Sequence, residues 1–548
     1  MAENPNAAAV EPEVSSSTQP STPSDNAEPE HKHEFNEQTN YVPVKTIITI
    51  FLACASVDLL ALIDQTTLAT SLYIIGDSLG ATAQVSWIAS GYFITSTVGQ
   101  LLYGRLSDIW SRKVILLSGL AIFFLGSLAS SLAQSVLQLT IFRAFTGVGG
   151  GGLMTVAQLI GAVVALANGI GPVIGGAISS QGPESWRWIF RINMPLTLVT
   201  TGAVIFFMPL KKVDGDSKMK LKAVDFIGIF LALAGTIVLM LGLTWGGGEH
   251  PWNSASVIAT LVVGLAVCVG FVLWQWKGPR YPLVPLRIFK SKIVNGACIT
   301  MAINGWNFVM QVYYIPSFYQ LVYGYSPTRA GAMLLPITLV QTLSSTLSGL
   351  IVHWVGRYRE CILFGWVCWA AGLGLMSTLD EGTGVGKQIG YGILIGVGVG
   401  NTLQPALIAV QAGVERRDMA VVTSFRNFVR NLGSTLGLAI CGTIINNVLA
   451  SSLSALNISR DEVEILLSNP QSHLQDLPDN EAGRVRDIIT PAYRRGFRII
   501  FVVGAGLCAL AFVVAWFMMP QVELSRPDDA KLKEEGRRDQ KTAKKSQA

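Results

Sequence analysis

Between Val44 and Pro520 the chain returns repeatedly to runs of apolar residues with scarcely a charge, each about the 20 residues a helix needs to cross a hydrocarbon core roughly 30 Å thick. Inside a bilayer no water is available to backbone N–H and C=O groups, so each run must satisfy its own hydrogen bonds, and a helix does this within one segment. Half of the 548 residues are hydrophobic and only 14% are charged. The charges are gathered between the runs, as in loops between spans. The pattern excludes a soluble enzyme and predicts an all-α polytopic membrane protein.

Hydropathy places about fourteen such helices between residues 46 and 519. Alternate loops carry Arg105, Arg112 and Lys113; Lys211, Lys212, Lys218, Lys220 and Lys222; Lys277, Arg280, Arg287, Lys290 and Lys292; Arg357 and Arg359; Arg416 and Arg417. Positive charge gathers on cytoplasmic loops, which puts both ends inside. Residues 1–42, rich in Ser, Pro, Asn and Glu, read as a disordered cytoplasmic tail without signal-peptide features, and residues 521–548 as a second, mixed-charge tail that is solvated and not a nucleic-acid arm. The polar stretch 448–496 is then the long outward loop, and its Asn457-Ile458-Ser459 is a glycosylation acceptor.

The seven cysteines stand singly, with no CxxC, and the five histidines form no cluster at metal spacing, so neither a metal nor a redox site is expected. Two ionisable groups within spans demand a reason. Arg143 lies in the fourth span and Asp64 in the first, and an unpaired charge there costs several kcal/mol. Arg143 can pair with a carboxylate in one state and release it in another, or form a fixed structural ion pair. Asp64 is a candidate proton carrier or partner for Arg143, or a helix-packing residue, and Asp58 six residues earlier competes with it.

Gly104-Arg105-Leu106-Ser107-Asp108-Ile109-Trp110-Ser111-Arg112-Lys113 closely resembles the inner-loop motif of the major facilitator superfamily, G-x-L-[SA]-D-x-x-G-R-[KR]. Gly349 to Arg357 echoes it in another inward loop, as expected of parallel repeats. Arg143 to Gly147 resembles the family's R-x-x-x-G, Asp64-Gln65-Thr66 its L-D-x-T with Ile63 for Leu, and Gly171-Pro172-Val173-Ile174-Gly175-Gly176 the G-P-x-x-G-G of its exporting antiporters. Trp186 to Asn193, Pro285 to Phe289, Tyr313 to Pro316 and Phe428 to Gly433 extend the likeness to the fourteen-span drug:proton branch found in fungal toxin and multidrug pumps.

The resemblance implies a major facilitator fold: a helix bundle over 46–210, a central pair over 224–276 and a second bundle over 294–519, six helices to each bundle. It implies proton-coupled efflux of a small amphipathic compound, such as a fungal secondary metabolite or drug, by a monomer in the plasma membrane, with the vacuolar membrane as alternative and no cofactor beyond the proton gradient. Uptake or vacuolar transport of a siderophore, amino acid or other solute, and a non-transporting sensor, are the alternatives. Asp64, Arg143, Asp108, Arg112 and Lys113 would couple protons to conformation, Asp108 as part of a latch. Gly171, Pro172, Gly175 and Gly176 would make a pliable, close-packed span.

Trp306, Asn307, Gln311, Tyr314, Gln404 and Phe425 are candidates to line a substrate cavity, although helix packing is the stronger reading of each. Two departures stand out. Ser111 occupies the position of the motif's second glycine, so a strained or differently shaped turn is expected there. Residues 144–183 carry no Lys, Arg, Asp or Glu, and the charged loop that relatives have between spans four and five is missing at Gly161.

Overall fold

Each apolar run becomes a helix, for the backbone reason given above. The structure, a computed structural model, describes residues 44–80, 85–156, 161–182, 184–208, 224–246, 250–279, 282–284, 286–414, 418–454 and 479–524. The first half comprises α1 (Val44–Ala69), α2 (Leu72–Ser78), α3 (Val85–Ile109), α4 (Arg112–Ser131), α5 (Val136–Val156), α6 (Gly161–Ser179), α7 (Arg187–Arg191) and α8 (Asn193–Phe207). A pair follows, α9 (Phe226–Trp245) and α10 (Ala255–Lys277). The second half holds α11 (Lys292–Val309), a π-helical turn at Met310–Tyr314, α12 (Ile315–Leu321), α13 (Pro327–Ala332), α14 (Leu335–Val355), α15 (Arg359–Met376), α16 (Val385–Ala412), α17 (Met419–Ser454) and α18 (Asp479–Met518).

Eleven helices or helix pairs among the described residues are long and apolar enough to cross a membrane. Three more helices, α3, α5 and α6, have 25, 21 and 19 residues, and their Gly, Ser and Thr suit packing against other helices rather than contact with lipid. Burial is inverted relative to a soluble protein. Asp64, Gln65, Thr66, Thr67, Arg143 and Asn193 are buried, whereas Val262, Leu265, Val269, Phe206 and Phe230 are exposed, as lipid contact allows.

Within the first half α3 packs on α5, α4 on α5 and α1 on α6; within the second, α14 and α15 pack on α16 and α11 on α17. The halves meet where α3 lies along α17 and α6 along α13 and α14, while α9 touches both α3 and α17. Start signals are local: the Asp225 carboxylate accepts from Gly228 N at 2.8 Å, and Ser254 and Ser326 cap α10 and α13 in the same way, with Pro327 just inside α13.

Two expectations are revised. The stretch 448–496 is not wholly loop, because α17 continues to Ser454 and α18 begins at Asp479; hydropathy marks only what can lie in lipid, whereas helical hydrogen bonding continues through Ala-, Leu- and Arg-containing flanks. Asn457 falls outside the described residues. The turn at Ser111 is differently shaped but not strained: its φ of −60° and ψ of 129° suit any residue, while Gly356, in the echoing loop, sits at φ 73°, where a side chain is disfavoured. The two loops therefore share a pattern of residues but turn by different backbones.

Candidate functional site

The Asp64 and Arg143 side chains meet between α1 and α5. Arg143 Nη1 donates to Asp64 Oδ2 at 2.6 Å, with the two side chains 1% and 0% exposed. Asn193, at the start of α8, donates to the other carboxylate oxygen at 2.6 Å. The guanidinium lies 4.6 Å from the Tyr92 ring centroid and 5.6 Å from that of Phe190, and aromatic faces partly offset the loss of water around a cation. Tyr92 fits because α5 is glycine-rich on this side: a Cβ on Gly150 would fall 2.1 Å from the Tyr92 hydroxyl.

This pair is under-bonded. Arg143 Nε and Nη2, and Asn193 Oδ1, are buried without hydrogen-bond partners, so the arginine holds its carboxylate through one nitrogen instead of a two-pronged clamp. Such an arrangement can part and re-form with water or a new partner.

The pair sits beside a contact between the halves. The Tyr313 hydroxyl, in the π-helical turn, donates to the Gln65 carbonyl at 2.8 Å, and the Tyr313 ring meets Phe93 edge-on at 6.1 Å. Gln65 adjoins Asp64 in sequence and its amide donates to Tyr92 Oη at 3.3 Å. Wide π turns of this kind re-aim side chains and recur at functional positions. Asn193, Gln65, Tyr92 and Tyr313 were not among the coupling residues expected from sequence; a polar residue at the same depth as Asp64 was the available signal.

The small residues of α6 act on both sides. A Cβ at Gly171 would lie 1.9 Å from Thr66 Oγ1 and at Gly175 2.1 Å from the Thr67 carbonyl, both on α1. At Gly176 it would lie 2.6 Å from the Pro327 carbonyl of the other half, and the Pro172 carbonyl approaches Gly331 in the same way. Thr70 and Ser71 hydroxyls donate to the Pro172 and Gly175 carbonyls at 3.1 and 3.2 Å. The Gly176–Pro327 and Gly331–Pro172 approaches, with Ser180 and Thr328 at 3.4 Å, hold the halves together at the end opposite the Trp110–Ser111 turn, while the Thr70 and Ser71 bonds tie the end of α1 to α6 within the first half.

The remaining candidates divide. Lys113 donates to the Ile205 carbonyl at 2.7 Å, capping the last turn of α8 within its own half. Arg112 is exposed, and the Asp108 side chain lies outside the described residues. In the second half Asn307 donates to Cys508 Sγ at 3.2 Å and Tyr314 to the Leu438 carbonyl at 2.7 Å. Both therefore pack helices. Gln311 bonds Gln341 at 3.3 Å across to α14. Trp306, Gln404 and Phe425 are half-buried, and Phe425 packs edge-on to Phe289 at 5.3 Å.

At the end opposite the Trp110–Ser111 turn, Trp186 Nε1 donates to Ser78 Oγ at 3.0 Å, and Arg187 donates to the Ala133 carbonyl at 2.5 Å and to Glu184 at 2.5 Å. The Arg187 hydrogen bond holds the Glu184 carboxyl below its ordinary value. In the second half, burial pushes the loop phenol of Tyr323 up to about 12, so it stays neutral.

Known proteins place this arrangement. The Major Facilitator Superfamily model matches residues 54–438. Citrate exporter 1 of Yarrowia lipolytica is 31% identical over 505 residues, covering 88% of this chain and 74% of that protein. Efflux pump dotC of Dothistroma septosporum is 32% identical over 76% of this chain and 74% of its own length, and efflux pump FUS6 of Gibberella moniliformis 30% over 86% and 87%. Among solved structures, an inward-facing, unoccupied bacterial homologue of the human lysosomal transporter Spinster superposes with a TM-score of 0.56 at 13% identity, over 87% of this chain and 98% of that one. A D-xylose–proton symporter does so at 0.53 and 12%, over 87% and 99%. With the inner-loop motif, the all-helical architecture and the match across most of its spans, the chain belongs to the major facilitator superfamily and is similar to its fungal efflux pumps.

Proposed function

We propose that the chain is a proton-coupled antiporter that exports a small amphipathic compound, a fungal secondary metabolite or drug, working as a fourteen-span monomer in the plasma membrane. The observation that carries the reading is the buried, singly bonded Asp64–Arg143 pair placed beside the Tyr313–Gln65 contact between the halves. Protonation of Asp64 and its ion pair with Arg143 exclude each other, so the outer-closed arrangement belongs to the deprotonated carboxylate. A proton on Asp64 leaves Arg143 charged and without its counter-ion in a dry site, which favours separation of α1 from α5 and entry of water.

Because Gln65 moves with Asp64, that separation pulls on the hydrogen bond to Tyr313 and loosens the outer contact. The glycine face of α6 then lets α1 and α13 shift against a smooth surface without a gap wide enough for ions. Relatives named efflux pumps support the direction of transport. The test is flux in reconstituted vesicles under an imposed pH gradient, with a panel of amphipathic tracers. Tracer movement coupled to proton movement in the opposite sense is expected; tracer flux that ignores the gradient, or tracer binding without flux, overturns the reading.

A further inference from the structure

Among the described residues, two arginines on α17 have no carboxylate partner. Arg426 and Arg430 lie five and nine residues beyond Val421, where the α17 candidate span begins, or about 7 and 13 Å into it at the helical rise. Spaced one turn apart, they share a face of the helix. Arg426 is 4% exposed. Its Nη2 donates to the Leu403 carbonyl of α16 at 3.1 Å, and its Nε is buried with no partner. Arg430 donates through Nε to Asn304 Oδ1 at 3.0 Å and lies 4.6 Å from the Phe308 ring centroid.

Among the described residues every ion-paired carboxylate is engaged elsewhere. Asp418, the acidic residue at the foot of α17, is held by Arg287 at 2.6 Å, and the others pair with Arg143, Arg187, Arg357 and Arg494. Two like charges on one face of a membrane helix, Arg426 buried and Arg430 partly so, repel, and leaving them uncompensated there is unfavourable unless the site is built to receive a negative charge.

The surroundings are arranged for this. Asn304 donates through Nδ2 to Thr402 Oγ1 at 3.3 Å, which turns its oxygen toward Arg430 and fixes the guanidinium. Asn304 reaches Arg430 because α11 and α17 touch at glycine: a Cβ at Gly433 would fall 2.0 Å from the Ala302 carbonyl. The apolar surface recorded beside the cations is the Phe308 ring of α11, over which the Arg430 guanidinium lies.

We infer that Arg426 and Arg430 receive an anionic group, a carboxylate or its like, carried on the apolar body of the transported compound. The inference rests on the transport reading and adds the charge class of the substrate. A purely structural role, bridging α17 to the Leu403 carbonyl and to Asn304, makes a different prediction, because it is indifferent to the charge of a ligand.

The experiment uses the full chain in neutral phosphatidylcholine nanodiscs with two probes of one shape, naphthalene-2-acetate and naphthalene-2-acetamide, titrated calorimetrically. The wild type is expected to favour the acetate by about tenfold or more. Arg426→Gln and Arg430→Gln should each bring that ratio close to one, and Arg430→Lys should keep part of it. The result is read as a ratio in monodisperse protein, so a general loss of binding cancels.

A ratio unchanged in the Gln variants, or a wild type that binds both probes equally or neither, overturns the inference. Vesicle flux separates this from failure of the transport reading. Gradient-driven flux of the amide without preference for the acetate overturns only the anion site, whereas acetate preference without flux of either probe upholds the site and overturns transport.

Discussion

Replacing Asp64 by Asn tests the proposed mechanism at its centre. The carboxylate accepts from Arg143 Nη1 and Asn193 Nδ2, each at 2.6 Å. An asparagine keeps one acceptor oxygen for Arg143 but no negative charge, and its NH2 can be met by Asn193 only if that amide turns its unpartnered Oδ1 inward. Arg143 already has two buried nitrogens without partners, so the substitution leaves a buried cation with almost nothing. Removing one member of a buried pair costs about 3–5 kcal/mol. The Tyr92 and Phe190 faces contact Arg143 in both proteins and so cancel in the difference, which leaves an expected loss of about 3–5 kcal/mol.

Adding Arg143→Gln removes the stranded charge, and the double variant should be more stable than the sum of the singles by about 1–3 kcal/mol. Detergent-solubilised protein unfolded by heat or denaturant measures the cycle, and vesicle flux measures coupling. Asp64→Asn cannot carry a proton, so accumulation against a gradient should vanish while exchange of substrate down its own gradient persists. Full proton-driven accumulation in Asp64→Asn, or additive single and double variants within about 0.5 kcal/mol, refutes the reasoning.

Three further outcomes are expected. Tyr313→Phe keeps the ring against Phe93 but loses the hydrogen bond to the Gln65 carbonyl, worth about 0.5–1.5 kcal/mol, and should raise the labelling of an introduced cysteine at the outer end by roughly two- to tenfold; unchanged labelling counts against a gating role. Gly175→Leu must push α1 from α6, because its Cβ would lie 2.1 Å from the Thr67 carbonyl, at a cost of about 1–3 kcal/mol; thermal melting beside Gly374→Ala, a position with nothing within 4 Å, checks this. A polar loop of about 15 residues with two or three Arg, inserted at the uncharged junction before Gly161, should raise expression or flux by restoring a local inside signal; equal transport by both chains makes the short junction a tolerated variation.

The inner-loop motif, the buried charges in spans one and four and the Gly-Pro–Gly-Gly run of α6 were readable without coordinates, because each is a local string whose cost in a bilayer is set by residue type alone. Which helix each cavity candidate packs against was not. Asn307 and Tyr314 share an apolar helix with Trp306 and look alike in sequence, yet Asn307 faces α18, Tyr314 bonds α17 and Trp306 is half-buried. Which face a polar residue takes depends on which neighbour occupies it. Lys113, grouped with the coupling residues by its motif, caps the last turn of α8, and Ser111 avoids strain because its turn is extended where that of Gly356 is left-handed.

Sequence alone determined that the chain is helical, membrane-spanning and built on the facilitator pattern, since hydropathy acts segment by segment on the bilayer. Only the tertiary structure decided that Asp64 finds Arg143 79 positions away and Asn193 129 away, that Tyr313 reaches across to Gln65, and that Arg426 and Arg430 find no carboxylate among the described residues. Pairing between distant segments is set by where glycine allows helices to approach and which faces then meet, and no stretch of the chain carries that information by itself.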